Sequence, residues 1–233
     1  MDKKTPAAAA GRGSLAAKAA LRFGLAGPVL AAMFFIPAGT WDFWQAWAYM
    51  AVLFVPMSFV LAYLLAREPD LLERRLRLKE KEPEQKAIIL LSYPFFLAAF
   101  LLPGLDRRFG WSAVPPWLVL AADVIVLAAY GMVFRVMREN RFMSRVVEVE
   151  PGHEVITTGP YAAVRHPMYA ALIPLYLFSP LALGSFWALL PAAFIPLVII
   201  ARIFNEERVL GRELAEYRRY ARRVKSRLIP GVW

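Results

Sequence analysis

The chain contains no cysteine and only two histidines among its 233 residues. The first absence excludes disulfides, thiolate metal sites and a cysteine nucleophile together. With so few imidazoles left, no metal-ligand set is expected either. Charge is also missing from long stretches, for several runs of roughly 18 or more residues carry none. A soluble domain interleaves polar residues every few positions, so these runs, in a chain that is 59% hydrophobic, indicate an integral membrane protein. Lys and Arg outnumber Asp and Glu by 28 to 18, but they flank the apolar blocks, where anionic lipid headgroups attract them. Membrane lipids, and no nucleic acid, are the partners that this distribution implies. Gly11-Arg12-Gly13-Ser14-Leu15-Ala16 has the spacing of a dinucleotide fingerprint, yet no strand precedes it and no βαβ unit surrounds it.

What is present is a series of apolar blocks: 23–39, 44–66, 87–104 and 115–137. Each can form a membrane helix, at a rise of about 1.5 Å per residue against a core that takes roughly 20 residues to cross. Trp41, Trp44, Trp47, Trp111 and Trp117 stand near block ends as an interfacial aromatic belt. The fifth stretch, 168–201, is uncharged and too long for one span. Turn chemistry at Phe178-Ser179-Pro180 and Gly184-Ser185 predicts a helical hairpin of 168–183 and 186–204. The expected fold is therefore all-α, an integral membrane helical bundle of about six membrane segments with the last two as a hairpin. Residues 1–137 are expected to form the N-terminal membrane helices, and 138–233 a functional core with its loop, hairpin and C-terminal tail.

Basic residues concentrate before Phe23, in 67–86, in 138–166 and after Arg202, whereas 39–43 has none. With an even number of spans, both termini and the large connections are expected on the cytoplasmic side of the inner (plasma) membrane. The segment 67–86, with seven basic and six acidic residues, reads as an interfacial amphipathic helix whose Leu71, Leu72, Leu76 and Leu78 dip into the bilayer.

Both histidines fall in one cytoplasmic stretch, which runs His153-Glu154-Val155-Ile156-Thr157-Thr158-Gly159-Pro160-Tyr161 and, shortly after, Arg165-His166-Pro167-Met168-Tyr169. After the hairpin come Arg202-Ile203-Phe204-Asn205-Glu206-Glu207, Tyr217-Arg218-Arg219-Tyr220 and Arg227-Leu228-Ile229-Pro230-Gly231. In order and spacing this pattern, from about Asn140 to Trp233, resembles the isoprenylcysteine carboxyl methyltransferase family and the related phospholipid N-methyltransferases.

The resemblance implies an S-adenosyl-L-methionine-dependent methyltransferase, of the carboxyl O-methyltransferase type, acting on a lipidic or prenylated acceptor. It implies that His153, Glu154, Val155 and Ile156 line the cofactor, that Tyr161 adds an aromatic wall, and that His166, Pro167, Met168 and Tyr169 close the site at a helix start. Pro167 suits that start, where its missing N–H is no loss. Glu206 would accept hydrogen bonds from the cofactor. Arg202, one turn earlier on the same face, has the planar fork that clamps a carboxylate and is the catalytic candidate. In the family a Gln precedes the His block; Glu148 is the nearest equivalent here, two residues closer. Other readings of the same residues stay open. The histidines can serve as interfacial side chains, Arg202, Glu206 and Glu207 as a juxtamembrane ion-pair cluster, and Tyr217 and Tyr220 with Arg218, Arg219, Arg222 and Arg223 as a basic amphipathic helix on the membrane. A phospholipid N-methyltransferase is the rival within enzymes, and a transporter or non-catalytic membrane protein the rival outside them. Asp123, alone in mid-span, is the one feature that favours the latter.

Overall fold

The computed structural model describes residues 6–76, 80, 82–140, 142 and 154–233, with side chains from residue 13 onward. The apolar blocks become long helices: α1 (Pro6–Ala38), α2 (Trp44–Arg67), α4 (Pro83–Phe109) and α5 (Pro116–Glu139), with the short α3 (Pro69–Arg75) between α2 and α4. α6 (Pro167–Ala182), the single-turn α7 (Leu189–Ala192), α8 (Ile195–Glu213) and α9 (Ala215–Arg223) follow. There is no strand among the described residues. Five helices are long and apolar enough to cross a membrane, and α6 is a shorter apolar one. The protein is a multi-pass helical membrane bundle.

The last two segments are less regular than a simple hairpin. The chain turns at Leu183 to Ser185, with Gly184 at φ +74°, where the expected hairpin breaks; Phe178-Ser179-Pro180, the other turn signal, lies within α6, which continues to Ala182. Within an apolar medium a turn at Ser179 would strand backbone polar groups. The Ser179 hydroxyl instead bonds the Leu175 carbonyl at 2.7 Å and meets the Tyr49 hydroxyl at 2.6 Å.

The core forms where α1, α2, α5 and α6 meet, around Phe34, Phe43, Tyr49, Val126 and Leu183. α1 and α4 approach closely at Gly104, where a Cβ would stand 2.5 Å from the Phe34 carbonyl oxygen. At the end of the bundle away from the basic loops, buried Asp106 accepts from the Ser112 amide and hydroxyl at 2.6 Å each and from the Ser185 hydroxyl at 2.5 Å. These bonds tie the 110–115 loop to the α6–α7 turn. Exposed Trp41, Trp44, Trp47, Trp111, Trp117 and Trp187 all stand at this end, as an interfacial belt requires.

At the basic end, α3 departs from the interfacial expectation. Leu71 and Leu72 are buried against Val60, Leu64, Val136 and Met137, so they face protein and not lipid. Leu78 lies outside the described residues. The same holds for α9, whose Tyr217 and Tyr220 are buried against Val155, Tyr161, Leu210 and Leu214. Apolar residues on a basic helix satisfy the same burial requirement against either partner, and here the partner is the bundle.

Candidate active site

A cavity of about 580 Å³ opens at the basic end between α3, α4, α6, α8, α9, the residues just after α5 and the 154–166 loop. Glu154, Val155, Ile156, Tyr161, His166, Pro167, Met168, Tyr169, Arg202 and Glu206 all line it. Of the residues named from the sequence, His153 lies outside the described residues, as does Glu148.

Local structure explains how these side chains converge. Gly159, at φ +55°, starts a 3₁₀ turn (Gly159–Ala162) that brings Tyr161 inward. Its missing Cβ leaves room for Glu139, whose carboxylate accepts from the Thr158 hydroxyl at 2.5 Å. The Tyr161 hydroxyl accepts from Asn140 Nδ2 at 3.0 Å, and its carbonyl accepts from the Tyr220 hydroxyl at 2.7 Å. The turn is thus pinned to the end of α5 on one side and to α9 on the other. Pro167 opens α6 at its first turn and leaves His166, at φ −124° and ψ 61°, just outside the helix.

The polar floor rests on α8. The Tyr169 hydroxyl donates to Glu206 Oε2 at 2.8 Å, and Arg202 Nε donates to the same hydroxyl at 3.4 Å. His166 Nδ1 stands 4.0 Å from Glu206 Oε1, and its Nε2 lies 3.1 Å from Glu207 Oε1. Glu207 turns away from the cavity to gather cations: Arg165 Nε reaches it at 2.8 Å and Arg227 Nε at 3.0 Å. Glu206 and Glu207, adjacent in sequence, therefore do different work, one lining the cavity and the other holding its frame. The frame continues along the chain, where the amides of Arg165 and His166 bond the carbonyls of Ser226 and Arg227 at 2.9 Å each. The Arg227 guanidinium also lies 5.2 Å from the ring centroids of both Phe204 and Trp233. At the start of α4, Gln85 Nε2 donates to the Arg202 carbonyl at 3.2 Å and Glu84 accepts from Asn205 and Arg208 at 2.6 Å each. α8 is fixed from both sides.

Several lining residues escaped the sequence reading as site members: Arg75 of α3, Asn140 and Phe142 after α5, and Tyr217 and Tyr220 of α9. Tyr217 carries a distinctive signature. It is only 6% exposed, and its hydroxyl has no hydrogen-bond partner among the described residues. Burial pushes the phenols of Tyr161, Tyr217 and Tyr220 up, Tyr220 to about 12, so all three are neutral and protonated at ordinary pH. Above the polar floor the walls turn apolar: Ile89 and Phe96 from α4, Tyr176 from α6, and Val198 and Ile199 from α8. Among the described residues no cluster of His, Asp or Glu is arranged to hold a metal ion.

Fold and cavity together define a class: a multi-pass membrane protein with a chamber at one membrane surface, polar below and apolar above. Residues 119–212, about two-fifths of the chain, match the sequence model of the isoprenylcysteine carboxyl methyltransferase (ICMT) family. The matched segment runs from the first turn of α5 to the last turn of α8 and carries most of the cavity's lining. That family is one of membrane methyltransferases, and the likeness suggests methyl transfer as the class of reaction. No curated protein matches the chain.

Proposed function

We propose that the protein is an S-adenosyl-L-methionine-dependent carboxyl methyltransferase acting on a lipidic or prenylated acid from the cytoplasmic side of the inner (plasma) membrane. One observation carries the reading: a single cavity joins a polar floor built from Tyr169, Arg202, Glu206 and His166 to an apolar slot between α4, α6 and α8. A donor with charged and hydroxyl groups fits the floor and a hydrocarbon tail fits the slot. The orphan hydroxyl of Tyr217, buried beside the cavity, is a donor still to be satisfied and supports a polar ligand there.

S-adenosylmethionine, when bound, supplies an electrophilic methyl group on a sulfonium sulfur. Glu154, Val155 and Ile156 would hold it along the loop, Tyr161 and Tyr217 from the aromatic side, and Pro167, Met168 and Tyr169 at the start of α6. Glu206 would accept hydrogen bonds from its hydroxyl or amino groups. An acceptor carboxylate is already ionised at neutral pH, so no side chain has to remove a proton before transfer. What remains is to orient and desolvate it, the role assigned to Arg202, while the apolar slot excludes water. His166, hydrogen-bonded to Glu207, positions the neighbouring Tyr169 and Glu206.

The test uses membranes containing the enzyme, donor labelled in the methyl group, and either a farnesylated cysteine analogue or phosphatidylethanolamine as acceptor. Ester label released as volatile methanol by mild alkali is expected with the acid. Base-stable label in the lipid fraction would assign the protein to phospholipid N-methylation instead. In parallel, Glu206→Ala is expected to weaken donor binding in a calorimetric titration; unchanged affinity would remove Glu206 from the donor site.

A further inference from the structure

A second cavity, of about 370 Å³, lies on the outer face of the bundle between α2 and α5 and shares no lining residue with the chamber described above. Its walls are Pro56, Phe59, Val60 and Tyr63 from α2 and Leu127, Tyr130, Gly131 and Phe134 from α5. Phe59 is 72% exposed, so the groove faces the surroundings of the bundle and not its core. Gly131 makes the gap, since a Cβ there would meet nothing within 4 Å. From Pro56 to Tyr63 the groove runs about 10 Å along the helix axis, at the ordinary helical rise.

The mouth at the basic end is not apolar. The Arg138 guanidinium sits 5.8 Å from the Tyr63 ring centroid and 6.0 Å from that of Phe134, so the two aromatic walls also fix a cation at the rim. Arg67 lies one turn beyond Tyr63 on α2, and Arg135 one turn beyond Gly131 on α5, both exposed. Among the described residues none of these three arginines has an acidic partner within ion-pair distance. Glu139, the acidic residue next to Arg138, is held by the Thr158 hydroxyl.

We propose that this groove is a binding site for one anionic phospholipid, its phosphate held by Arg138 with Arg67 and Arg135 and its acyl chain lying against Phe59, Tyr130 and Gly131. A neutral detergent or a zwitterionic lipid fills the apolar part equally well but leaves three like charges at the rim uncompensated. A second copy of this chain would have to bring its own anionic group to the same place. A planar guanidinium already oriented by two rings loses little freedom on gripping a phosphate by two hydrogen bonds. The location, at the basic membrane surface, is where anionic headgroups concentrate.

Native mass spectrometry of the detergent-purified, delipidated protein tests the proposal, with phosphatidylglycerol and phosphatidylcholine titrated in turn. One tightly retained phosphatidylglycerol per monomer is expected, with phosphatidylcholine weaker by about tenfold, the scale of one charge-assisted paired contact. Arg138→Ala is expected to erase the difference between the two lipids, and Gly131→Leu, which fills the groove, to weaken both. Arg218→Ala, a loss of exposed positive charge on α9, is expected to change neither and controls for general electrostatics. Equal retention of the two lipids by the unmodified protein would overturn the proposal. So would an Arg138→Ala variant that still prefers the anionic lipid, or a dimer whose formation excludes lipid. Arg138 is exposed, so its variant keeps the test decisive should Gly131→Leu fail to fold.

Discussion

Two neighbouring glutamates on α8 illustrate how much a single position decides. Glu207 is the shared counter-charge of Arg165, His166 and Arg227, with a side chain only 15% exposed. Glu207→Gln leaves those donors packed together with no anion, and a loss of about 3 kcal/mol in stability is expected, the usual cost of breaking a buried pair from one side. Thermal or denaturant unfolding in detergent measures it. Tyr217 should behave in the opposite way. Its hydroxyl has no partner among the described residues, so Tyr217→Phe removes an unsatisfied group, and stability should hold or rise slightly. If the hydroxyl serves the methyl donor, the same variant should bind donor about two- to tenfold more weakly, the range of one neutral hydrogen bond. Calorimetry beside an unfolding curve reads both numbers; loss of stability with unchanged affinity would assign Tyr217 to the frame alone.

At the level of elements, the α1–α4 crossing has almost no tolerance. Gly104→Ala would set a methyl 2.5 Å from the Phe34 carbonyl oxygen and 2.9 Å from Pro37 Cβ. The helices must separate, and a destabilisation of about 1–3 kcal/mol is expected, readable as a lowered Tm. Gly159→Ala combines two penalties, a positive φ and a Cβ within 2.7 Å of the Glu139 carboxyl, so the turn that presents Tyr161 should deform and donor affinity fall. These elements also show what the sequence can convey. The long blocks were legible because a membrane helix needs nothing beyond a run of apolar residues, and the loop from Glu154 to Tyr169 because its residue types sit close together in the chain. Arg75, Asn140 and Tyr217 were not legible as members of the same cavity, since distant segments bring them there by packing alone. Tyr217 and Tyr220 did leave a trace, two aromatics spaced for one face of an otherwise basic helix. That trace fits a membrane surface as well as a protein surface, because lipid and bundle reward the same apolar face. The hairpin's turn was legible at Gly184-Ser185, whereas Phe178-Ser179-Pro180, also turn chemistry, lies inside α6, since in lipid the helix is the cheapest way to satisfy the backbone.

For the whole molecule, five long spans and the shorter α6 put both ends of the described chain on the side of the basic loops, with the tryptophan belt opposite. Single cysteines at Thr40 and Glu216, in a chain that has none of its own, should then label from opposite sides. An impermeant maleimide is expected to reach Thr40→Cys in intact cells and Glu216→Cys only after lysis; equal labelling of both from outside would contradict the orientation.

Arg202 stands where the polar floor meets the apolar slot between the spans, and this position bears on turnover as well as on transfer. On the proposed reading, the acid arriving at Arg202 is anionic and the methyl ester that leaves is not. The guanidinium then loses the ionic part of its hold on the acceptor at the moment of transfer, and the uncharged ester enters hydrocarbon far more readily than the carboxylate did. On that reading the chemistry itself favours product escape, because it changes which of the two neighbouring phases the molecule prefers.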